Sequence, residues 1–148
     1  KKHNPKLILE LGSFIGYSAI LIASTTESDS LLYSIDPDHN SIEISQKMIN
    51  FAGLSNKINF IHSKAELAIP KLNHSFDFVF IDADNTSTKC IEPIMGEIEN
   101  HGRIISTKVY GDWSDENMKR WVQTANNYGL EKIQCDRISG KNSVIPII

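Results

Sequence analysis

Short apolar runs alternate with amphipathic stretches along this chain. The runs "LILEL" (7–11), "LLYSID" (31–36), "KINFI" (57–61), "FDFVFID" (76–82) and "RIIST" (103–107) are brief and bounded by turn residues, so each predicts a buried strand. The stretches between them have helix length. "SIEISQKMINFAG" (41–53) sets Ile42, Ile49 and Ala52 near one face with Met48 beside them, and Gly53 is placed to end the helix in the left-handed region. "SDENMKRWVQTANNYG" (114–129) carries Met118, Trp121, Val122 and Ala125 as its apolar stripe, with Ser114 as N-cap candidate and Gly129 as the stop. Strands alternating with helices predict parallel βαβ units, hence an open α/β sheet covered on both faces. The tail, "LEKIQCDRI" and "NSVIPII" with "SGKN" between them, predicts a terminal hairpin that makes the sheet mixed.

Composition narrows the class. At 148 residues and 41% hydrophobic, the chain can bury its apolar surface in one core, so residues 1–148 are expected to form a single domain. It opens at "KKHNPK", without Met and almost directly before a strand, so it is expected to be part of a longer polypeptide. A net charge of −3 with scattered lysines offers no basic track, which argues against nucleic acid as a partner. No run approaches the roughly 18 apolar residues of a membrane span and no signal-peptide pattern opens the chain, so a cytoplasmic protein is expected. Cys90 and Cys135 lie far apart outside any C-x-x-C setting and read as reduced thiols.

The residues that end the strands carry the chemistry. In an open α/β sheet, ligands bind beyond the carboxyl ends of the strands, where strand order reverses. Glu10 with "LGSFIG", then "DPD" (36–38), then "DADN" (82–85) put acid at three of the first four strand ends. Such a cluster repels anions and suits a ligand bearing hydroxyls and positive charge. Gly12 and Gly16 let a ligand approach the backbone and let the next helix pack tightly on the sheet, but their G-x-x-x-G spacing lacks the glycine that admits a pyrophosphate. An NAD-dependent dehydrogenase is therefore disfavoured. Asp36, some twenty residues past the turn, is placed to accept from both hydroxyls of a ribose. A nucleoside without phosphate follows, and S-adenosylmethionine fits, with its ribose, adenine, ammonium and sulfonium.

"LELGSFIGYSAILIA", "YSIDPD", "QKMINFAGLSNKINFIHSKAELAIPKL" and "FDFVFIDAD" together resemble the catechol O-methyltransferase group of class I S-adenosylmethionine-dependent methyltransferases, with caffeoyl-coenzyme A O-methyltransferases as cousins. The resemblance spans residues 5 to about 107. It implies a Rossmann-like, doubly wound, mostly parallel seven-stranded sheet with an antiparallel last strand, in line with the hairpin. It also implies that Glu10, Gly12 and Ser13 line the methionine portion and that Tyr17 and Ser18 hold its carboxylate end. Asp36 takes the ribose, and Ala65 with Glu66 the adenine rim.

The family's catalysis implies a Mg²⁺ held by two Asp and one Asn on the acceptor's vicinal hydroxyls, with a lysine as base. Asp82 matches the first ligand. Asn85 replaces the lysine, Lys108 stands at the second Asp and Val109 at the Asn. Mg²⁺ needs several oxygen ligands, so no divalent metal is expected. Lys108 is then expected to act in place of the cation, pairing with Asp82, steadying an ionised acceptor or serving as base; the bland rival is a plain Lys108–Asp82 ion pair. Trp113 either walls an acceptor pocket or packs in the core. His62 and His74 read as turn or surface residues, and Asp84 as adenine-side or capping. The expectation is O-methylation of a small hydroxylated acceptor. Its rival is a degenerate methyltransferase-like domain serving as a structural or interaction module. The family's upstream helices help cover the cofactor, so an upstream segment or partner chain is expected to complete the pocket.

Overall fold

The computed structural model describes residues 4–82, 91–101 and 106–135. Lys1–Gly102 and Arg103–Ile148 form two compact units. In the first, strands β1 (Leu7–Leu11), β2 (Leu31–Asp36), β3 (Ile58–His62) and β4 (Phe78–Ile81) alternate with helices α1 (Tyr17–Thr25), α2 (His39–Phe51), α3 (Ala65–Ala68) and α4 (Ile91–His101). The four strands are all parallel, in the order β3-β2-β1-β4. The chain thus winds outward from β1 through β2 to β3, then returns to place β4 on the other side of β1. Strand order reverses between β1 and β4, which makes their carboxyl ends the place for a ligand.

The central strands β1 and β2 are buried on both faces because they are largely apolar at both parities. Ile8 and Leu32, with Ile58, pack beneath Ala19 and Ala23 of α1 and Ile49 of α2. Leu9, Leu11 and Ile35 face the other way, against Ala68, Ile69 and α4's Ile94. Period-two alternation divides each strand between these two cores, and each fully buried Leu or Ile side chain contributes about 1.5–3 kcal/mol. Glu10 and Ser34 share the parity of Ile8 and Leu32, so they lie on the α1/α2 face, and the register sets them directly opposite one another.

The predicted helix at 41–53 begins two residues earlier. Asp38 is its N-cap: the carboxylate accepts from the Ser41 N–H at 2.9 Å and the Ser41 hydroxyl at 2.6 Å. Ile42 and Ile49 are buried as expected, whereas Ala52 is the exposed C-cap and Met48 is also exposed. Gly53, at φ 70, ends the helix.

In the second unit, β5 (Lys108–Gly111) pairs in parallel with β6 (Glu131–Gln134), and α5 (Lys119–Asn127) connects them. β5 starts at Lys108, after Ser106 and Thr107 of the run expected as a strand at 103–107, where pairing with Glu131–Gln134 sets the ladder. Residues 103–105 lie outside the described residues. Ser114 does not cap α5; it closes a tight turn on Asp112, hydroxyl to Oδ1 at 2.5 Å, and a 3-10 turn (Glu116–Met118) intervenes. Ala125 is buried and Met118, Trp121 and Val122 are half-buried, so the expected stripe faces inward. The segment "NSVIPII" lies outside the described residues, as do Asp84, Asn85 and Cys90.

Candidate methyl-donor site

The turn after β1 is built around left-handed backbone. Gly12 has φ 96 and Gly16 φ 80, and between them Phe14 stands at φ 43, where an L side chain is strained by roughly 1–2 kcal/mol. Three bonds hold it there. The Phe14 N–H donates to Asp36 Oδ2 at 3.0 Å, its carbonyl accepts from the Ser45 hydroxyl at 2.7 Å, and the Gly16 N–H closes onto the Ser13 carbonyl at 2.7 Å. Phe14 holds its side chain 69% exposed, and Tyr17 is exposed beside it. Gly16 serves close packing, but against α2 rather than the sheet: a Cβ there would sit 3.1 Å from the Ser45 Cβ and 3.2 Å from its Cα. Gly16→Ala is accordingly expected to destabilise the fold by about 1–3 kcal/mol, from left-handed strain plus the clash, as read by chemical denaturation. Unchanged stability would remove this packing argument.

The three strand-end acids differ in setting. Asp36 is only 8% exposed, and its oxygens accept from the Phe14 N–H and, at 2.8 Å, the Asp38 N–H. A carboxylate has about four acceptor positions, so two backbone bonds orient it and leave capacity for hydroxyl donors. Glu10 is 0% exposed. The Ser34 hydroxyl donates to its Oε2 at 2.5 Å, and Ser34 is also hydrogen-bonded to the Ser13 hydroxyl. Among the described residues, Oε1 is buried and closes no hydrogen bond, though the Ser18 hydroxyl stands near enough to favour the charged form. Burial pushes the Glu10 carboxyl above the usual carboxylate range, Ser18 and Ser34 oppose that shift, and the charges of Asp82 and Asp36 add to it. Asp82 follows β4, its N–H bonded to the Leu11 carbonyl at 2.9 Å. It is exposed, yet flanked by enough protein that lost hydration holds its carboxyl above the usual range.

The expected residues Glu10, Gly12, Ser13, Gly16, Ser18, Asp36 and Asp82 thus gather at the carboxyl ends of β1, β2 and β4. Tyr17 and Ser18 open α1, whose N-terminus no side chain caps. Ala65 and Glu66 open α3 past β3, with Ala65 packed on the Leu9 and Leu11 core and Glu66 exposed. Phe14, Ser34 and Ser45 were not expected. A serine inside the apolar run "LLYSID" was the visible signal for Ser34; nothing in the sequence tied Ser45 to the turn.

The O-methyltransferase family model matches residues 1–117. The chain belongs to the O-methyltransferase family. Caffeoyl-CoA O-methyltransferase of Populus kitakamiensis is 36% identical over 111 residues, covering 72% of this chain and 47% of the relative. Catechol O-methyltransferase of Mus musculus is 30% identical over 82 residues, 55% of this chain and 31% of the relative. Among solved structures, the O-methyltransferase TomG from Streptomyces achromogenes, involved in tomaymycin synthesis and in complex with SAM, superposes with a TM-score of 0.62. Its identity is 26%, over 68% of this chain and 45% of that one. The chain therefore spans less than half the length of each of these three proteins. Its fold is the family's α/β Rossmann-like architecture with a mostly parallel sheet.

The resemblance puts the family's three metal ligands at the positions of Asp82, Lys108 and Val109. Of these only Asp82 is matched, since an ammonium at Lys108 and an isopropyl group at Val109 cannot ligate a cation. Among the described residues no group of three His, Cys, Asp or Glu side chains is placed to hold a metal ion. Lys108 opens β5, its ammonium 3.8 Å from Glu131 on β6, and both side chains are well exposed. Trp113 donates its indole N–H to the Ile133 carbonyl at 2.9 Å and is half-buried. His62 meets the Pro37 carbonyl at 3.0 Å and His74 the Tyr33 hydroxyl at 3.2 Å, both as exposed contacts.

Proposed function

We propose that the protein transfers the methyl group of S-adenosylmethionine to a hydroxyl of a small phenolic acceptor. The observation that carries this reading is the acidic cluster at the carboxyl ends of β1, β2 and β4: an oriented Asp36, a buried Glu10 whose Oε1 closes no hydrogen bond among the described residues, and a glycine turn without the spacing that admits a phosphate. These groups fit a phosphate-free nucleoside bearing a cation. Asp36 would accept from the ribose hydroxyls, while Glu10, Gly12 and Ser13 would line the methionine portion. Tyr17, Ser18 and the uncapped start of α1 would take its carboxylate, since helix N-termini favour anions. Gly16 keeps that turn close to α2, and Ala65 with Glu66 would border the adenine.

When bound, S-adenosylmethionine supplies a methyl group activated by its sulfonium. The residues of this chain hold and orient; alignment of reactants by itself can contribute several kcal/mol to the barrier. Asp82, within that cluster, would keep the donor end electronegative. Lys108 is assigned to the acceptor oxygen on the family position it occupies, where an ammonium would steady the ionised hydroxyl. Turnover should then survive a chelator and fall at least about tenfold in Lys108→Met. Activity abolished by chelator would reverse the metal-free reading.

The acceptor is a small molecule rather than nucleic acid, given the net charge of −3. No described helix is long and apolar enough to cross a membrane. A cytoplasmic setting, and an upstream segment or partner chain completing the pocket, belong to the same proposal. The relatives named above are enzymes, and the site keeps its polar groups, which leaves a degenerate structural module without support. Calorimetry with S-adenosylmethionine, first with Mg²⁺ and then with chelator, tests the reading. Micromolar binding indifferent to Mg²⁺ is expected, and no binding in either condition would overturn it.

A further inference from the structure

We propose that Ser34 is a positioning residue of the methyl-donor site, its buried hydroxyl linking the Glu10 carboxylate to Ser13 in the glycine turn. The inference rests on the reading that this site takes S-adenosylmethionine. Ser34 is wholly buried, as is Glu10, and Ser13 is nearly so. Parallel register sets Ser34 directly opposite Glu10, so its hydroxyl reaches Oε2 without distortion of either strand. A serine hydroxyl has one proton and two lone pairs. Ser34 donates that proton to Glu10, so the Ser13–Ser34 hydrogen bond can only be made by the Ser13 proton. The direction of the chain is therefore set: Ser13 to Ser34 to Glu10.

This order has a consequence for the ligand. Ser13, having given its proton to Ser34, keeps only lone pairs for a further partner, and Oε1 of an ionised Glu10 is likewise an acceptor. Two acceptors joined through one serine suit a group with several N–H donors and positive charge, which describes the ammonium of the methionine portion. Removing the Ser34 hydroxyl would break both links at once. Glu10 would then lose one of the two hydroxyls that favour its charged form. The charged groups that act on Glu10 from neighbouring strands, Asp36 at the end of β2 and Asp82 after β4, both oppose ionisation, and α1 contributes the Ser18 hydroxyl.

The test follows the Glu10 carboxyl carbon by NMR across pH in the protein without ligand, alongside calorimetry with S-adenosylmethionine. In Ser34→Ala the Glu10 titration midpoint should move to higher pH, and affinity at pH 7 should fall about tenfold, as for loss of a hydrogen bond to a charged group. Ser34→Thr, which keeps the hydroxyl, should restore both. In a Glu10→Gln background, Ser34→Ala should cost little more. An unmoved midpoint, or the same loss of affinity in the Glu10→Gln background, overturns the proposal. Failure of the parent protein to bind S-adenosylmethionine overturns the functional reading instead, and the ligand-free titration still reports on the Ser34–Glu10 link.

Discussion

Asp36→Ala should weaken S-adenosylmethionine binding by at least ~1.5 kcal/mol, and by about 3 kcal/mol, or roughly a hundredfold, if both ribose hydroxyls donate to this carboxylate. The effect has two sources. One is the ligand's own hydrogen bonds. The other is the turn: Asp36 is the acceptor for the Phe14 N–H, and without it a backbone already at φ 43 loses one of its restraints. Asp36→Asn separates the two only in part, because an amide has one oxygen and cannot accept from Phe14 and Asp38 through both of its terminal atoms. Calorimetry on the two variants, with thermal unfolding as the control for folding, should rank Ala below Asn below the parent. Undiminished affinity in Asp36→Ala would exclude the cluster as the ribose site.

Glu10→Gln should cost at least about tenfold in affinity for S-adenosylmethionine, since it removes the buried charge opposite a cationic group, yet make the protein more stable at neutral pH. The sign follows from burial. A carboxyl whose folded pKa is raised contributes stability that is complete below its unfolded value and lost as pH rises through the folded one. Glu10 therefore weakens the parent fold increasingly as pH climbs above the ordinary 4.5. Asp82 shifts the same way and acts in both proteins, so the difference between parent and variant isolates Glu10. Denaturation from pH 4 to 8 should show the variant's advantage growing with pH and closing toward pH 4. A variant less stable than the parent at pH 7 would mean that Oε1 has a partner when ionised. Loss of binding with a gain in stability is the pattern of a group kept for function.

Much of this was legible in the residues. β1 and β2 occupy the runs that apolar patterning marks, to the residue, because strands buried on both faces must be apolar at both parities. The acids at 10, 36 and 82 and the glycines at 12 and 16 were equally plain, since few residue types tolerate a left-handed turn or end a buried strand in charge. Boundaries decided by pairing were harder. β5 begins at Lys108 because β6 lies alongside it, and the N-terminus of α5 moves past Ser114 because Asp112 captures that side chain. Within its own unit Lys108 lies 3.8 Å from Glu131, its register neighbour in β6.

By itself the sequence determined an open α/β architecture, its strand-end acids and a phosphate-free glycine turn, because these follow from local patterning and residue chemistry. Only the tertiary structure decided that Ser34 lies against Glu10, that Ser45 grips the Phe14 carbonyl, and that Gly16 is required by α2. Those contacts join positions 24, 31 and 29 residues apart in the chain. Register and helix packing create them, and neither is written in the spacing of any one segment.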